Sequence, residues 1–256
     1  MFVDKILYIN LQRRPDRNEN VQKIVNDHGL NDITVRIDAV DGRGLTKDNI
    51  SKDLITKEGI DDAFNSKQRV YVPLTIGGIG CALSHKKCYE YIVNNNIQKC
   101  LILEDDIRVD DKFVEKINSL EKIVPKDFDM FFLGFHGAHA LKQVSYDYFI
   151  PTRIYGLFGY IVTYEGAKKL LNIFPITEQI DSEIPKSFDK IKAYSLHKVN
   201  AFIYSDPSAT TTTFGTDIQI RENYEPNFHF EANIILIILM CFVLVYLFRL
   251  HFIKKN

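Results

Sequence analysis

The chain has 256 residues, long enough to bury a sizeable core as one large domain or two small ones. Hydrophobic residues make up 46% and charged residues 25%, ordinary for a globular protein with something apolar attached. Lysine plus arginine (32) nearly cancels aspartate plus glutamate (33), which leaves no basic footprint for nucleic acid and sets that class of partner aside. Four cysteines, Cys81, Cys88, Cys100 and Cys241, show no paired spacing and read as reduced thiols. The opening MFVDKILYIN has no basic region ahead of a long apolar stretch, so it reads as a strand, KILYIN, and not as a signal peptide. A helix follows, with Val21, Ile24 and Val25 at helical spacing until His28-Gly29 ends it. ITVRIDAV (33–40) reads as a second strand closed by the turn Asp41-Gly42, and residues 43–75 as a loop-rich insertion.

Gly77-Gly78-Ile79-Gly80 opens a helix whose apolar positions recur every three or four residues until Asn94-Asn95-Asn96. KCLILEDDIRV (99–109) is the strongest strand, an apolar run into three carboxylates. DMFFLG (129–134) and GLFGYIVT (156–163) are further strands, the latter followed by a short helix through Ala167, Leu170 and Leu171, and NAFIYSD (200–206) is the last. Strands alternating with helices predict an α/β domain with a mainly parallel sheet over residues 1–222.

The C-terminus differs in kind. Residues 234–248 carry no charge, and the stretch 232–253 would span about 33 Å as a helix, against a hydrocarbon core of roughly 30 Å. We therefore expect a juxtamembrane linker over 223–231, a transmembrane helix over 232–253 and a short basic tail over 254–256. Arg249, His251, Lys254 and Lys255 would keep the tail cytoplasmic and send the domain across the membrane. The missing signal peptide argues the opposite, a single-pass C-terminal anchor with the catalytic domain in the cytosol, and that is the expectation taken.

Chemistry concentrates at two strand ends. Glu104-Asp105-Asp106 follows a buried strand, where α/β proteins place their ligands. Alternation puts Glu104 and Asp106 on one side, a pair suited to Mn²⁺ or Mg²⁺ that takes its other ligands from phosphate and water. A solvated acidic turn is the plain alternative. Arg13, Arg14 and Arg17 follow the first strand, where a nucleotide diphosphate could be held, with Asp16 available to orient an arginine.

Five ordered blocks resemble glycosyltransferase family 25, which includes lipopolysaccharide-biosynthesis enzymes and collagen galactosyltransferases. They are YINLQRRPDR (8–17), AVDGR (39–43), IGCALSH (79–85), LEDD (103–106), and GYIV with EGAKKLL (159–162 and 165–171). SDP (205–207) and TDI (216–218) match its closing loop more loosely. The resemblance implies a GT-A fold, a UDP-sugar or similar donor, a divalent metal and an inverting transfer. It implies that Asn10, Arg13, Arg14, Asp41, Ser84, His85 and Asp105 surround the nucleotide sugar. Glu104, Asp106 and Asp217 are its implied metal ligands, Asp106 foremost. The acceptor would be a glycan, a lipid-linked glycan or a protein, with the membrane a further partner. One departure stands out. The family usually reads Pro-Ile/Val-Asp where this chain reads Pro175-Ile176-Thr177. An inverting transfer needs a general base, so Asp181, then Glu178, become its candidates, with Glu183 nearby. The alternatives are a catalytically inactive relative that keeps the fold as a binding module, and a metal-dependent phosphohydrolase.

Overall fold

The computed structural model of the chain describes residues 1–65 and 74–205. In chain order, β1 (Lys5–Asn10) leads to α1 (Pro15–Asp27) and β2 (Thr34–Asp38), then α2 (Lys57–Asn65) and α3 (Ile76–Asn94). Next come β3 (Lys99–Leu103), β4 (Ile107–Val109), α4 (Phe113–Ser119), β5 (Met130–Phe132), β6 (Gly137–Gln143) and β7 (Tyr148–Tyr155). β8 (Gly159–Thr163), α5 (Tyr164–Leu171), α6 (Ile180–Glu183), β9 (Ala193–Leu196) and β10 (Ile203–Ser205) complete the series.

Alternation along the strands produces the layering. Leu7, Ile9, Cys100, Ile102, Met130, Phe132, Tyr160 and Val162 enter one core, which α3 and α5 cover through Ile79, Ala82, Ala167 and Leu170. Ile6, Tyr8, Leu101, Leu103, Phe131 and Ile161 enter a second core on the opposite face, covered by α1 and α4 through Val21, Val25, Phe113 and Ile117. Both faces of the sheet are therefore buried, and the period of two in the side chains is the reason.

Eight strands form the main sheet in the order β2-β1-β3-β8-β5-β9-β7-β6, and β4 pairs with β10 as a separate ribbon. Three pairings are parallel (β1 with β2, β1 with β3, β5 with β9) and four antiparallel (β3 with β8, β5 with β8, β6 with β7, β7 with β9). The fold is mixed α/β, which corrects the mainly parallel sheet expected from the sequence. A strand buried on both faces reads as a continuous apolar run whichever way it points, so local composition does not reveal that β8 runs against both its neighbours. The predicted strand over 99–109 is also broken in two. Glu104 N–H donates to Phe158 O at 3.2 Å, and the chain bends over 104–106 before β4 begins.

The expected membrane anchor and single-pass localisation do not stand as assigned. No helix among the described residues is long and apolar enough to cross a membrane. The longest, α3, has 19 residues, but Lys86, Lys87 and Glu90 interrupt its apolar run. The predicted span over 232–253, its linker and its tail lie outside the described residues, as does Asp217.

One close approach positions the cleft described below. The chain leaving β2 passes over the start of α3 with backbone against backbone. A Cβ added at Gly80 would lie 2.5 Å from Val40 O, and one at Gly42 would lie 2.6 Å from Ile76 O. Ser84 fastens the contact, its Oγ accepting from Val40 N–H at 2.8 Å and donating to Gly80 O at 2.6 Å. Thr75 caps the helix by accepting from Gly78 N–H at 2.9 Å. Because backbone cannot yield as a side-chain tip can, Gly80→Ala is expected to destabilise the protein by about 1–3 kcal/mol. Urea denaturation of the two proteins measures this, and equal midpoints would mean the helix can slide aside freely.

Candidate active site

β1 and β3 run side by side in parallel, Tyr8 opposite Leu103, so their carboxyl ends reach the same edge of the sheet. Asn10 ends one strand and Glu104, Asp105 and Asp106 follow the other. Asn10 is buried, and its amide donates to Asp105 Oδ2 at 2.7 Å and to Arg14 O at 3.0 Å. Arg36 Nε donates in turn to Asn10 Oδ1 at 3.0 Å.

From the first turn of α1, Arg17 reaches the acids. One guanidinium nitrogen, Nη1, lies 3.0 Å from Asp105 Oδ1 and 3.2 Å from Asp106 Oδ2. Three residues further along the same helix face, Asn20 donates to Ile107 O at 2.9 Å, so α1 grips the acidic segment at two points. Arg14 is held differently, in a paired contact with Asp16 at 3.0 and 2.9 Å. Arg13 Nε meets Asp41 Oδ2 at 2.7 Å.

The charges do not balance within this knot. Asp105 is buried, which pushes its carboxyl above the ordinary range even with Arg17 and the Asn10 amide opposing the shift. Asp106 is pushed up to about 7, first by burial and then by the Glu104 carboxylate, with Arg17 opposing. Among the described residues, Asp106 Oδ1 and Arg17 Nε are buried polar atoms without a hydrogen-bond partner. A buried carboxylate oxygen left unpaired is costly, and a hard cation is one group that satisfies it. Asp41 behaves otherwise. Burial would raise it, but hydrogen bonds from Arg13 and from Arg43 N–H outweigh burial and hold the carboxyl low.

On the opposite face, α3 supplies His85, fully buried, with Nδ1 2.7 Å from the Tyr160 hydroxyl and Nε2 3.5 Å from Glu104 Oε1. Ile9, Leu11, Ala39, Val40 and Gly42 form the apolar and backbone walls between these groups, and Arg13, Asp41, Ser84, His85 and the three acids line the same cleft. Asp181 stands at the start of α6, its Oδ2 accepting from Gly156 N–H at 3.4 Å. Burial raises its carboxyl most, and Glu104 raises it further, so the two carboxylates feel each other.

A family model described as Glycosyltransferase family 25 (LPS biosynthesis protein) matches residues 3–184. The chain belongs to glycosyltransferase family 25. Procollagen galactosyltransferase 2 of Mus musculus is 28% identical over 205 residues, 74% of this chain and 31% of that protein. A glycosyltransferase 25 family member of Aedes aegypti is 31% identical over 206 residues, 74% of this chain and 32% of that protein. The chain thus spans about a third of the length of these curated relatives. Among solved structures, a glycosyltransferase involved in the glycosylation of the major capsid of PBCV-1 is similar at 13% identity over 78% of this chain and 91% of that one. Its TM-score of 0.38 is too low to assign anything.

Of the residues singled out from the sequence, the structure gathers Arg13, Asp41, Ser84, His85, Glu104, Asp105 and Asp106 around one cleft, with Asn10 directly beneath. Arg14 points to Asp16 beside it. Strict alternation of the acids fails: Glu104 faces His85, but Asp105 and Asp106 both meet Arg17, because β3 has already ended at Leu103. Neither Asp181 nor Glu178 is among the cleft's lining, and Glu178 pairs with Lys186 at 3.0 Å. Thr177 contacts the Thr56 hydroxyl at 3.0 Å, while Glu183 accepts from Thr177 and Glu178 N–H groups at 2.7 and 2.8 Å. The sequence reading singled out Arg17 for a diphosphate but not for the acids, and it missed Cys81. Arg17 was legible only as one of three arginines, and Cys81 only as a spare thiol, yet both line the cleft.

The raised Asp106 makes a stability prediction. Its folded value lies above its unfolded one, so the ionisation penalty is absent in acid, grows as pH rises from about 4, and is complete above about 7. In EDTA at pH 8, Asp106→Asn should therefore be more stable than the parent by at least about 1.4 kcal/mol, the worth of one pKa unit. The gap should narrow as pH falls towards 4.5. Denaturant titration at several pH values measures it, and a variant less stable at pH 8 would contradict the charge imbalance.

Proposed function

We propose that this chain is a metal-dependent, inverting hexosyltransferase that moves a sugar from a UDP-sugar donor to an acceptor hydroxyl on a glycan, lipid-linked glycan or protein. The observation that carries the reading is the cleft at the ends of β1 and β3, where the buried Asp105 and the half-buried Asp106 share a single guanidinium. Relatives named as procollagen galactosyltransferases make galactose the first donor to try.

Glu104 and Asp106 would hold a Mn²⁺ or Mg²⁺ ion, and Asp106 Oδ1 is the oxygen with no other partner among the described residues. Bound there, such an ion neutralises charge that develops on the leaving diphosphate, a Lewis-acid contribution of several kcal/mol. The remaining work falls to the chain's own groups. Arg13, oriented by Asp41, lies in the cleft wall where it can meet phosphate or ribose oxygens. Asn10 and Arg17 fix Asp105 so that the acidic segment cannot swing out of the site. His85, held through Nδ1 by Tyr160, turns its other nitrogen towards Glu104 in the cleft.

Transfer forms a bond from the acceptor oxygen to the anomeric carbon and breaks the bond to the diphosphate, whose oxygen keeps the electron pair. The acceptor proton must go to a base, and Asp181 is the assignment favoured here. Burial has raised its carboxyl, which brings a base closer to the pH at which it works. Glu178 is the weaker candidate, being more exposed and tied to Lys186. A second reading, a donor-binding module without transfer, is favoured by Thr177, whose hydroxyl is paired with Thr56 in place of a carboxylate.

Release of UDP from UDP-galactose and other UDP-sugars, measured with the full chain over glycan and peptide acceptors, tests this. We expect Mn²⁺-dependent release, a loss of at least about 100-fold in kcat/KM for Asp106→Ala, and a fall in kcat at unchanged donor affinity for Asp181→Asn. Full activity of Asp106→Ala would refute the metal role. Donor binding with no release from any sugar would select the second reading.

A further inference from the structure

The cleft also contains a donor set of a different chemical kind. Cys81 Sγ, the His85 imidazole and the Glu104 carboxylate each offer one ligand atom, and these atoms lie within 4.8 Å of one another. Cys81 and His85 are four residues apart on α3, hence on one face of the helix, and Glu104 approaches from the end of β3. His85 Nε2 and Glu104 Oε1 are 3.5 Å apart. Two ligands each roughly 2.0–2.1 Å from a tetrahedral centre sit about 3.4 Å apart, so this pair already has the required spacing. The other imidazole nitrogen is anchored to the Tyr160 hydroxyl at 2.7 Å, and that hydroxyl lies 3.0 Å from the hydroxyl of Tyr89. An outer anchor on the non-ligating nitrogen is what a metal-binding histidine ordinarily has.

We propose that Cys81, His85 and Glu104 bind a borderline divalent cation of the zinc class. A sulfur, a nitrogen and an oxygen donor select such an ion over Mg²⁺ or Mn²⁺, which prefer oxygen alone. Three protein ligands leave a fourth position for water or a small anion. Because Glu104 belongs to both donor sets, zinc-class occupancy and hard-cation occupancy exclude each other. That competition, and the shut-down of transfer it brings, rests on the function proposed above; the binding itself does not.

Co²⁺ serves as the optical stand-in for Zn²⁺. Titrating the full chain with Co²⁺ should produce a thiolate-to-cobalt charge-transfer band in the near ultraviolet together with visible bands of a tetrahedral site, and Zn²⁺ should abolish both. Cys81→Ser should lose the near-ultraviolet band while keeping the parent's far-ultraviolet circular dichroism, and Cys241→Ser should retain it. In the unaltered chain, Zn²⁺ should slow alkylation of Cys81, read by mass spectrometry, which covers the case of a variant that does not fold. Absence of the band at excess Co²⁺, its survival in Cys81→Ser, or an unchanged alkylation rate would each overturn the site. These readouts need no sugar transfer, so a failure of Mn²⁺-dependent UDP release leaves them standing, and their failure leaves that activity untouched.

Discussion

The structure turns on two adjacent carboxylates, the buried Asp105 and the half-buried Asp106, that share one guanidinium. Arg17 can neutralise one of them. Glu104 adds a third acid next in sequence to Asp105, and among the described residues Asp106 Oδ1 has no hydrogen-bond partner. Such an arrangement is destabilising by itself, and a fold optimised for stability alone would replace an acid here. A strongly perturbed carboxylate in a cleft marks a candidate functional site, and in the function proposed above the missing positive charge arrives with a ligand.

The surrounding fold keeps the acids in place. β1 and β3 bring Asn10 level with Asp105, α1 contributes Arg17 and Asn20 from one face, and α3 brings His85 from the opposite layer. The α3 side depends on the glycines at 42 and 80, where the chain after β2 touches the helix backbone directly. The cleft therefore has two walls of different character. The α1 wall is rich in arginine and oxygen donors and suits a diphosphate with a hard cation. The α3 wall carries a thiol and an imidazole, donors that a hard cation does not use and a zinc-class ion does.

Much of this was legible in the residues. KILYIN, the apolar run into Glu104-Asp105-Asp106, and the long helix after Gly77-Gly78 have strong periods and clear stops, and they appear at β1, β3 and α3 nearly as read. The acids and arginines were legible as chemistry through their place in the ordered family blocks, since a polar cluster after a buried strand can equally be a solvated turn. Strand direction was not legible, since the antiparallel β8 has the same all-apolar composition as a parallel strand. The β6–β7 hairpin escaped because its register shifts between His139 and Lys142 break the alternation that marks a strand. Which arginine meets which acid was also out of reach. Arg14 and Arg17 sit three residues apart in similar surroundings, and only the seating of α1 on the sheet sends one to Asp16 and the other to Asp105 and Asp106.

We propose that the cleft lacks a positive charge, which a divalent cation binding together with a nucleoside diphosphate supplies. Calorimetric titration of UDP into the full chain, with Mn²⁺ and then with EDTA, addresses it most directly. The account predicts saturable binding with Mn²⁺ that weakens by at least about 100-fold in EDTA, roughly 2.7 kcal/mol. Binding of equal affinity in both conditions, or none in either, would contradict it.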